Sequence, residues 1–270
     1  MSGFIYNGKS TKDILESSEL ILASFDGLND IVGSERENIV GETTATRPIA
    51  NEYGTRYSSL KFEYSLIKAN GDTFTDDEQV SVERWLTSPK LSQDLKIIDH
   101  DGNITTIYCG KFTSTNWKPV ANGWAGVTFS FENNHAYPKK HFEHNYEIRT
   151  SGTITLNCES DELEEYIYPV LTITEPFETA NVIIKNITDN SNTMTIKAYD
   201  SLPMTFDCLH CIPKDATTNG IISYSDLGWT DVGNIYWMRL LPGINEIQVT
   251  GNADITISYD CPYKKVGGWL

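Results

Sequence analysis

The stretch FTDDEQVSVERWLTSPK, Phe74 to Lys90, decides how the rest of the chain is read, because it carries a full set of helix signals. Thr75 stands three residues before Glu78, the spacing of a capping box in which each side chain takes up the other residue's backbone N–H. Asp76, Asp77 and Glu78 place negative charge where the helix dipole is positive. Val82, Trp85 and Leu86 recur at spacings of three and four and share one face, while Val80 falls off that stripe. Pro89 disfavours helical geometry in the residue before it and ends the element. About three turns of helix are too short to be stable alone. This helix must lean on another element, with Trp85 as its anchor.

The rest of the chain says what it leans on. Leu60, Phe62, Tyr64 and Leu66 alternate in SLKFEYSLIK, Val127, Phe129 and Phe131 in GVTFSFE, and Ile255, Ile257 and Tyr259 in ADITISYD. Strands buried on one side need this period, since successive side chains point to opposite faces. Turn-forming residues separate the runs at Asn70-Gly71-Asp72, Asp101-Gly102-Asn103 and Gly251-Asn252. The expected fold is mainly β: two antiparallel β-sandwich domains, the first carrying the helix. Residues 136–147 mix His, Pro and charge, and are read as a linker between a domain at 1–135 and a second at 148–270. Gly33–Thr55 is polar with little apolar periodicity. It is either a long loop or a hairpin arm without a core of its own, and such an arm makes sense when it packs on another subunit. Arg36 and Arg47 within it are candidates for ring contacts, able to pair with acids on a neighbour.

The 270 residues hold 37 acids against 21 bases, a formal charge of −16. A surface this acidic repels phosphate, and no useful run of Lys and Arg exists, so stable nucleic-acid binding is not expected. No apolar run reaches the roughly 20 residues that span a bilayer, and membrane insertion is not expected either. The opening MSGFIYNGKS has no apolar signal region, which implies assembly in a cytoplasm.

The chemistry-bearing residues do not converge on a catalytic motif. Acid pairs such as Asp161-Glu162 and Glu164-Glu165 arise by chance in an acidic chain. His141 and His144 have the i, i+3 spacing of two metal ligands, but HExxH is absent. Cys208 and Cys211 form half a zinc site with no second half, so the five cysteines are read as reduced small hydrophobes. The chain has no GxSxG elbow, P-loop or GxGxxG. No catalytic residue, metal or cofactor is expected. Aromatic residues are the better lead. SDLGWTDVGNIYWMRLL concentrates Trp229, Tyr236 and Trp237. Tyr236 and Trp237 read as core. Trp229, between Gly228 and Thr230, reads either as core or as a platform on which a sugar could stack.

A strand pair, the capped acidic helix ending in RWLTSPK, and a later run to VTFSFENNHAYP together resemble the distal tail proteins (Dit) of long-tailed, non-contractile bacteriophages. GFIYNGKSTKDI is similar to the opening strand and turn of that family. YWMRLLPGINEIQVTGNADITISYD, followed by CPYKKVGGWL, is similar to its C-terminal strands. The resemblance implies a structural, non-enzymatic protein of the virion tail tip. It implies a homo-hexameric ring that joins the tail tube to the tail-tip hub or tail-associated lysin. The N-terminal half would build the ring from a sandwich, the helix and a hairpin arm. The C-terminal half would be a galectin-like sandwich facing outward, where receptor-binding proteins could anchor. Two other readings stand beside it: a carbohydrate-binding or adhesion module using the second sandwich, and a glycan-degrading enzyme with a β-sandwich accessory domain.

Overall fold

The computed structural model describes residues 3–25, 35–41, 51–99, 101–174, 181–197, 203–231 and 235–265. The chain divides into two compact units. The boundary falls between Lys139 and Lys140, and the chain returns to the first unit at Lys264.

The first unit is built from β1 (Gly3–Tyr6), β2 (Lys9–Ser10), β3 (Leu20–Ala23), β4 (Arg36–Val40), β5 (Glu52–Tyr57), β6 (Lys61–Lys68), α1 (Asp76–Thr87), β7 (Gln93–Ile98), β8 (Ile104–Val120) and β9 (Gly123–Asn133). Two antiparallel arrays, β2-β1-β7-β8 and β3-β6-β9-β8, share the 17-residue strand β8. Gly110 is the shared point, since it pairs with Gln93 of β7 on one side and with Asn133 of β9 on the other. A Cβ at Gly110 would lie 2.0 Å from the Glu132 carbonyl oxygen, so only glycine lets the strands approach this closely. A bulge between Phe112 and Ser114 follows at once. A bulge of this kind bends a strand as it passes from one array into the next.

The alternation seen in the sequence fills the space between the two arrays. Phe62, Tyr64, Leu66, Val127, Phe129 and Phe131 are buried from β6 and β9, and Phe4, Tyr6, Leu95, Ile97 and Tyr108 from β1, β7 and β8. The faces meet through aromatic rings: Phe62 lies 4.8 Å from Tyr108, and Phe4 6.0 Å from Phe129. Edge and stacked contacts of this kind add to the stabilisation from buried area.

The second unit is a β-sandwich. Its strands are β10 (Lys139–Ile148), β11 (Ser151–Cys158), β12 (Val170–Thr174), β13 (Val182–Asn186), β14 (Asn192–Ile196), β15 (Met204–Asp207), β16 (Ile212–Asp215), β17 (Gly243–Thr250) and β18 (Ala253–Pro262). One sheet runs β16-β15-β12-β18-β10 and the other β11-β17-β13-β14. Leu171, Ile173, Phe206, Ile255 and Ile257 of the first sheet pack against Ile154, Leu156, Ile184, Met194, Ile247 and Val249 of the second.

Residues 139–148 correct the linker reading, because they form β10. The histidines, lysines and acids there had masked a period of two. His141, Glu143, Asn145 and Glu147 are exposed, while Phe142, Tyr146 and Ile148 turn toward the core of the second unit.

Candidate assembly surfaces

Helix α1 is docked by one face into its own unit. Thr75 Oγ1 accepts from the Glu78 N–H, and Glu78 accepts from the Thr75 N–H at 2.8 Å, completing the capping box. Val82, Trp85 and Leu86 are buried at 0 %, 6 % and 1 % exposure, whereas Val80 faces out. Trp85 stacks on Phe4 at 5.2 Å and donates its indole N–H to the Tyr6 carbonyl at 2.8 Å, so its polar edge is satisfied inside the core.

Two polar anchors flank that apolar face. Lys68, nearly buried at the end of β6, donates to Glu78 at 2.7 Å and to the Thr73 carbonyl at 3.0 Å. Ser17 also donates to Glu78. Burial alone would raise the Glu78 pKa. Hydrogen bonds from Lys68, Ser17 and the Thr75 N–H, with the charge of Lys68, outweigh it and hold the carboxyl at about 2. On the other flank Glu83 accepts from Thr115 at 2.8 Å and from the Trp117 indole at 2.9 Å, fastening the helix to β8. Sequence reasoning found the cap and the stripe but neither anchor. Lys68 is one lysine in a strand, and only the fold brings it to the helix N-terminus.

The Gly33–Thr55 segment contains the opposite kind of element. β4 and β5 form a two-stranded ribbon of their own, with Arg36 opposite Tyr57, Glu37 opposite Arg56, Asn38 opposite Thr55 and Ile39 opposite Gly54. Beyond Ile39 the register shifts by a bulge, and Gly54 there has φ +131°, a conformation open to glycine. All eleven strand residues are exposed. The apolar ones are among them: Ile39 at 47 %, Val40 at 57 % and Tyr53 at 68 %. Among the described residues, the ties from the ribbon to the rest of the unit lie at its base. Ser58 N–H donates to the Glu35 carbonyl at 3.1 Å, and the Tyr57 ring meets Tyr137 edge-on at 5.7 Å. Arg36 lies at this base, exposed. Arg47 lies outside the described residues.

In the second unit Trp229 is half-buried against Phe206, Tyr224 and Trp237, and its indole N–H donates to the Thr195 carbonyl at 2.6 Å. The polar edge a sugar hydroxyl would use is thus engaged internally. Tyr236 donates to Asp189, a buried carboxylate that also takes a bidentate pair from Arg239 at 2.8 and 3.0 Å. On the outer face of β10 and β18, His141 Nδ1 lies 2.8 Å from Asp260, and its Nε2 lies 3.5 Å from Ser258 Oγ. The order is that of a nucleophilic triad, but the three stand on an open sheet face, with Ser258 in the β12–β18 ladder. Among the described residues no group of three or more His, Cys, Asp or Glu could hold a metal ion, and no helix is long and apolar enough to cross a membrane.

Two family models account for nearly the whole sequence. A phage tail protein N-terminal domain matches residues 1–135, and a phage tail C-terminal domain matches residues 135–259. The chain belongs to this family of phage tail proteins. It is therefore a virion component. Solved structures share its fold at low identity. The Dit (gp 19.1) protein of phage SPP1, described as a paradigm of the hub adsorption apparatus in phages infecting Gram-positive hosts, superposes with a TM-score of 0.61 at 13 % identity. That match covers 97 % of this chain and 99 % of the other. A chain from the phage P2 baseplate in its activated conformation with Ca gives 0.57 at 10 % identity, covering 98 % and 99 %. No curated protein sequence is significantly similar. For this tail protein the fold is thus the distal-tail fold. Its two contrasting elements are a helix docked by one face into its own unit and a ribbon whose described residues are all exposed.

Proposed function

We propose that this tail protein closes into a homo-hexameric ring at the tail tip, joining the tail tube to the tail-tip hub, with ribbon β4–β5 supplying contacts between subunits. The observation that carries this reading is the ribbon itself. A two-stranded ribbon with no core face is marginal in water. Among the described residues its outer edges pair with no other strand, and Ile39, Val40 and Tyr53 stand exposed on it. A neighbouring copy would cover those side chains and give Arg36 and Arg47 acids to pair with, pairs that are weak singly and matter together. A head-to-tail contact satisfies every subunit only when the ring closes.

The structural relatives, a hub adsorption protein and a baseplate chain, support a tail-tip position. The net charge supports a conduit. Six chains of −16 carry about −96, and acids along a lumen would let DNA pass without binding. The second unit, facing outward, is the natural seat for receptor-binding proteins. No catalytic role is assigned.

Light scattering on the purified protein tests the ring. Six chains of 30.3 kDa give a particle of roughly 180 kDa. A mass that stays at one chain across a wide concentration range, with and without tail-tube protein, would sink the proposal.

A further inference from the structure

Cys158 closes β11 and Cys261 lies one residue from the end of β18, so the two stand on opposite sheets of the second unit, 103 residues apart in sequence. Alternation delivers both to the interior, Cys158 after Ile154 and Leu156, and Cys261 after Ile257 and Tyr259. Both are buried, and their Sγ atoms are 3.4 Å apart as free thiols. The other three cysteines differ in setting: Cys109 is half-buried, Cys208 buried and Cys211 exposed.

We propose that Cys158 and Cys261 are a latent disulfide, reduced while the protein is made inside a cell and closed once the virion reaches an oxidising medium, where it staples the two sheets of the second unit. This goes beyond the ring reading and does not depend on it. A thiol pair held at contact distance across a sandwich needs little movement to bond.

The oxidant is a small-molecule disulfide such as oxidised glutathione. The Cys158 thiolate attacks one of its sulfurs, that S–S bond breaks, and one glutathione leaves as thiolate. The Cys261 thiol gives its proton to water and attacks the Cys158 sulfur of the mixed disulfide, and the second glutathione leaves as thiolate. One protein disulfide forms and two glutathione thiols are produced, so the electrons balance. Cys158 is suited to attack first. The hydrogen bond from Cys261, helped by the Ser160 N–H, holds its pKa below the usual thiol value, while the same pairing and burial push Cys261 up. Both residues sit at strand ends, where local opening gives the oxidant access. A cross-link over so long a loop restricts the unfolded chain strongly and raises stability.

The test uses the full chain, purified under reductant and then held in oxidised glutathione. Samples are unfolded, alkylated, digested and mapped by mass spectrometry, and intact protein is melted in parallel. The proposal expects a peptide pair joined through Cys158 and Cys261, a protein about 2 Da lighter, and a melting temperature several degrees higher that reductant reverses. Cys261→Ser should abolish the rise. Should that variant fail to fold, the wild-type cross-link map and its reversal stand without it. Alkylation of both thiols after oxidation, cross-links that join other cysteines instead, or an unchanged melting temperature with the bond formed would each overturn it.

Discussion

Helix α1 and ribbon β4–β5 are of similar size, twelve residues against eleven, and both belong to the first unit. Neither would be stable in isolation, since a three-turn helix and a lone hairpin both lack enough internal contacts. The helix finds its support within the chain: a buried Val82-Trp85-Leu86 face, the Lys68–Glu78 pair at its start and the Glu83 bonds to β8. Among the described residues the ribbon finds support at its base alone. Similar marginal elements thus end in opposite states, and under the proposed ring the difference separates what holds the monomer together from what is left for assembly. Substitutions in the helix should cost stability of the isolated chain, and substitutions in the ribbon should not.

The largest cost falls at Trp85. Trp85→Ala removes the stack on Phe4 and the bond to Tyr6, and truncating a buried aromatic costs about 3–5 kcal/mol. Thermal melting followed by tryptophan emission should show the first unit unfolding well below wild type. An unchanged melting curve would mean the helix is not docked by this face.

Next comes the ion pair at the helix start. Lys68→Met leaves Glu78 without its cation and should cost about 3 kcal/mol, read from denaturant midpoints. The same pair sets a pH dependence. The Glu78 carboxyl lies at about 2 in the folded chain against an ordinary 4.5, so its stabilisation is fully present above pH 4.5 and is lost as pH falls from 4.5 toward 2. That loss is on the order of 2 kcal/mol. Urea titrations across this window should show it in full in wild type and much reduced in Lys68→Met, where only the Ser17 and Thr75 bonds remain to lower the carboxyl. Equal slopes in the two proteins would remove the pair from the account.

Glu83→Gln is milder, because the amide keeps one acceptor for Thr115 or Trp117. About 1 kcal/mol is expected from denaturant titration, and the helix should stay docked by circular dichroism. Smallest of all, Val40→Ser and Tyr53→Ser should leave the isolated chain within about 0.5 kcal/mol of wild type. Their effect should appear in the oligomer, as a shift of the mass distribution toward single chains. A large loss of monomer stability from either would place the ribbon in the fold of its own subunit and erase the contrast.

Much of the helix was legible in the sequence because its signals are local. A cap, a charge gradient, a stripe and a proline all lie within 17 residues. The alternating strands were legible for the same reason, down to Phe62, Tyr64, Phe129 and Phe131. Three features were not. Gly110 as the point where β8 passes between two arrays depends on two pairings far apart in sequence. Strand β10 hid behind polar residues whose alternation only the sheet makes plain. The meeting of Cys158 with Cys261 requires the register of two strands on different sheets. Local physical chemistry writes elements into sequence, while long-range partners such as Lys68 for Glu78 become visible only in the fold.

The central claim is that the ribbon serves assembly and not the fold of its own subunit. Because the Ser58 N–H already bonds the Glu35 carbonyl at 3.1 Å, residues 36–57 can be replaced by a two-glycine link across the base. Light scattering and circular dichroism on that variant, beside wild type, are the most direct test. The account predicts strand content lower only by the eleven deleted ribbon residues, with wild-type melting, and the mass falling from a ring of roughly 180 kDa to a single chain. A variant that still closes into rings, or one that no longer folds, would contradict it.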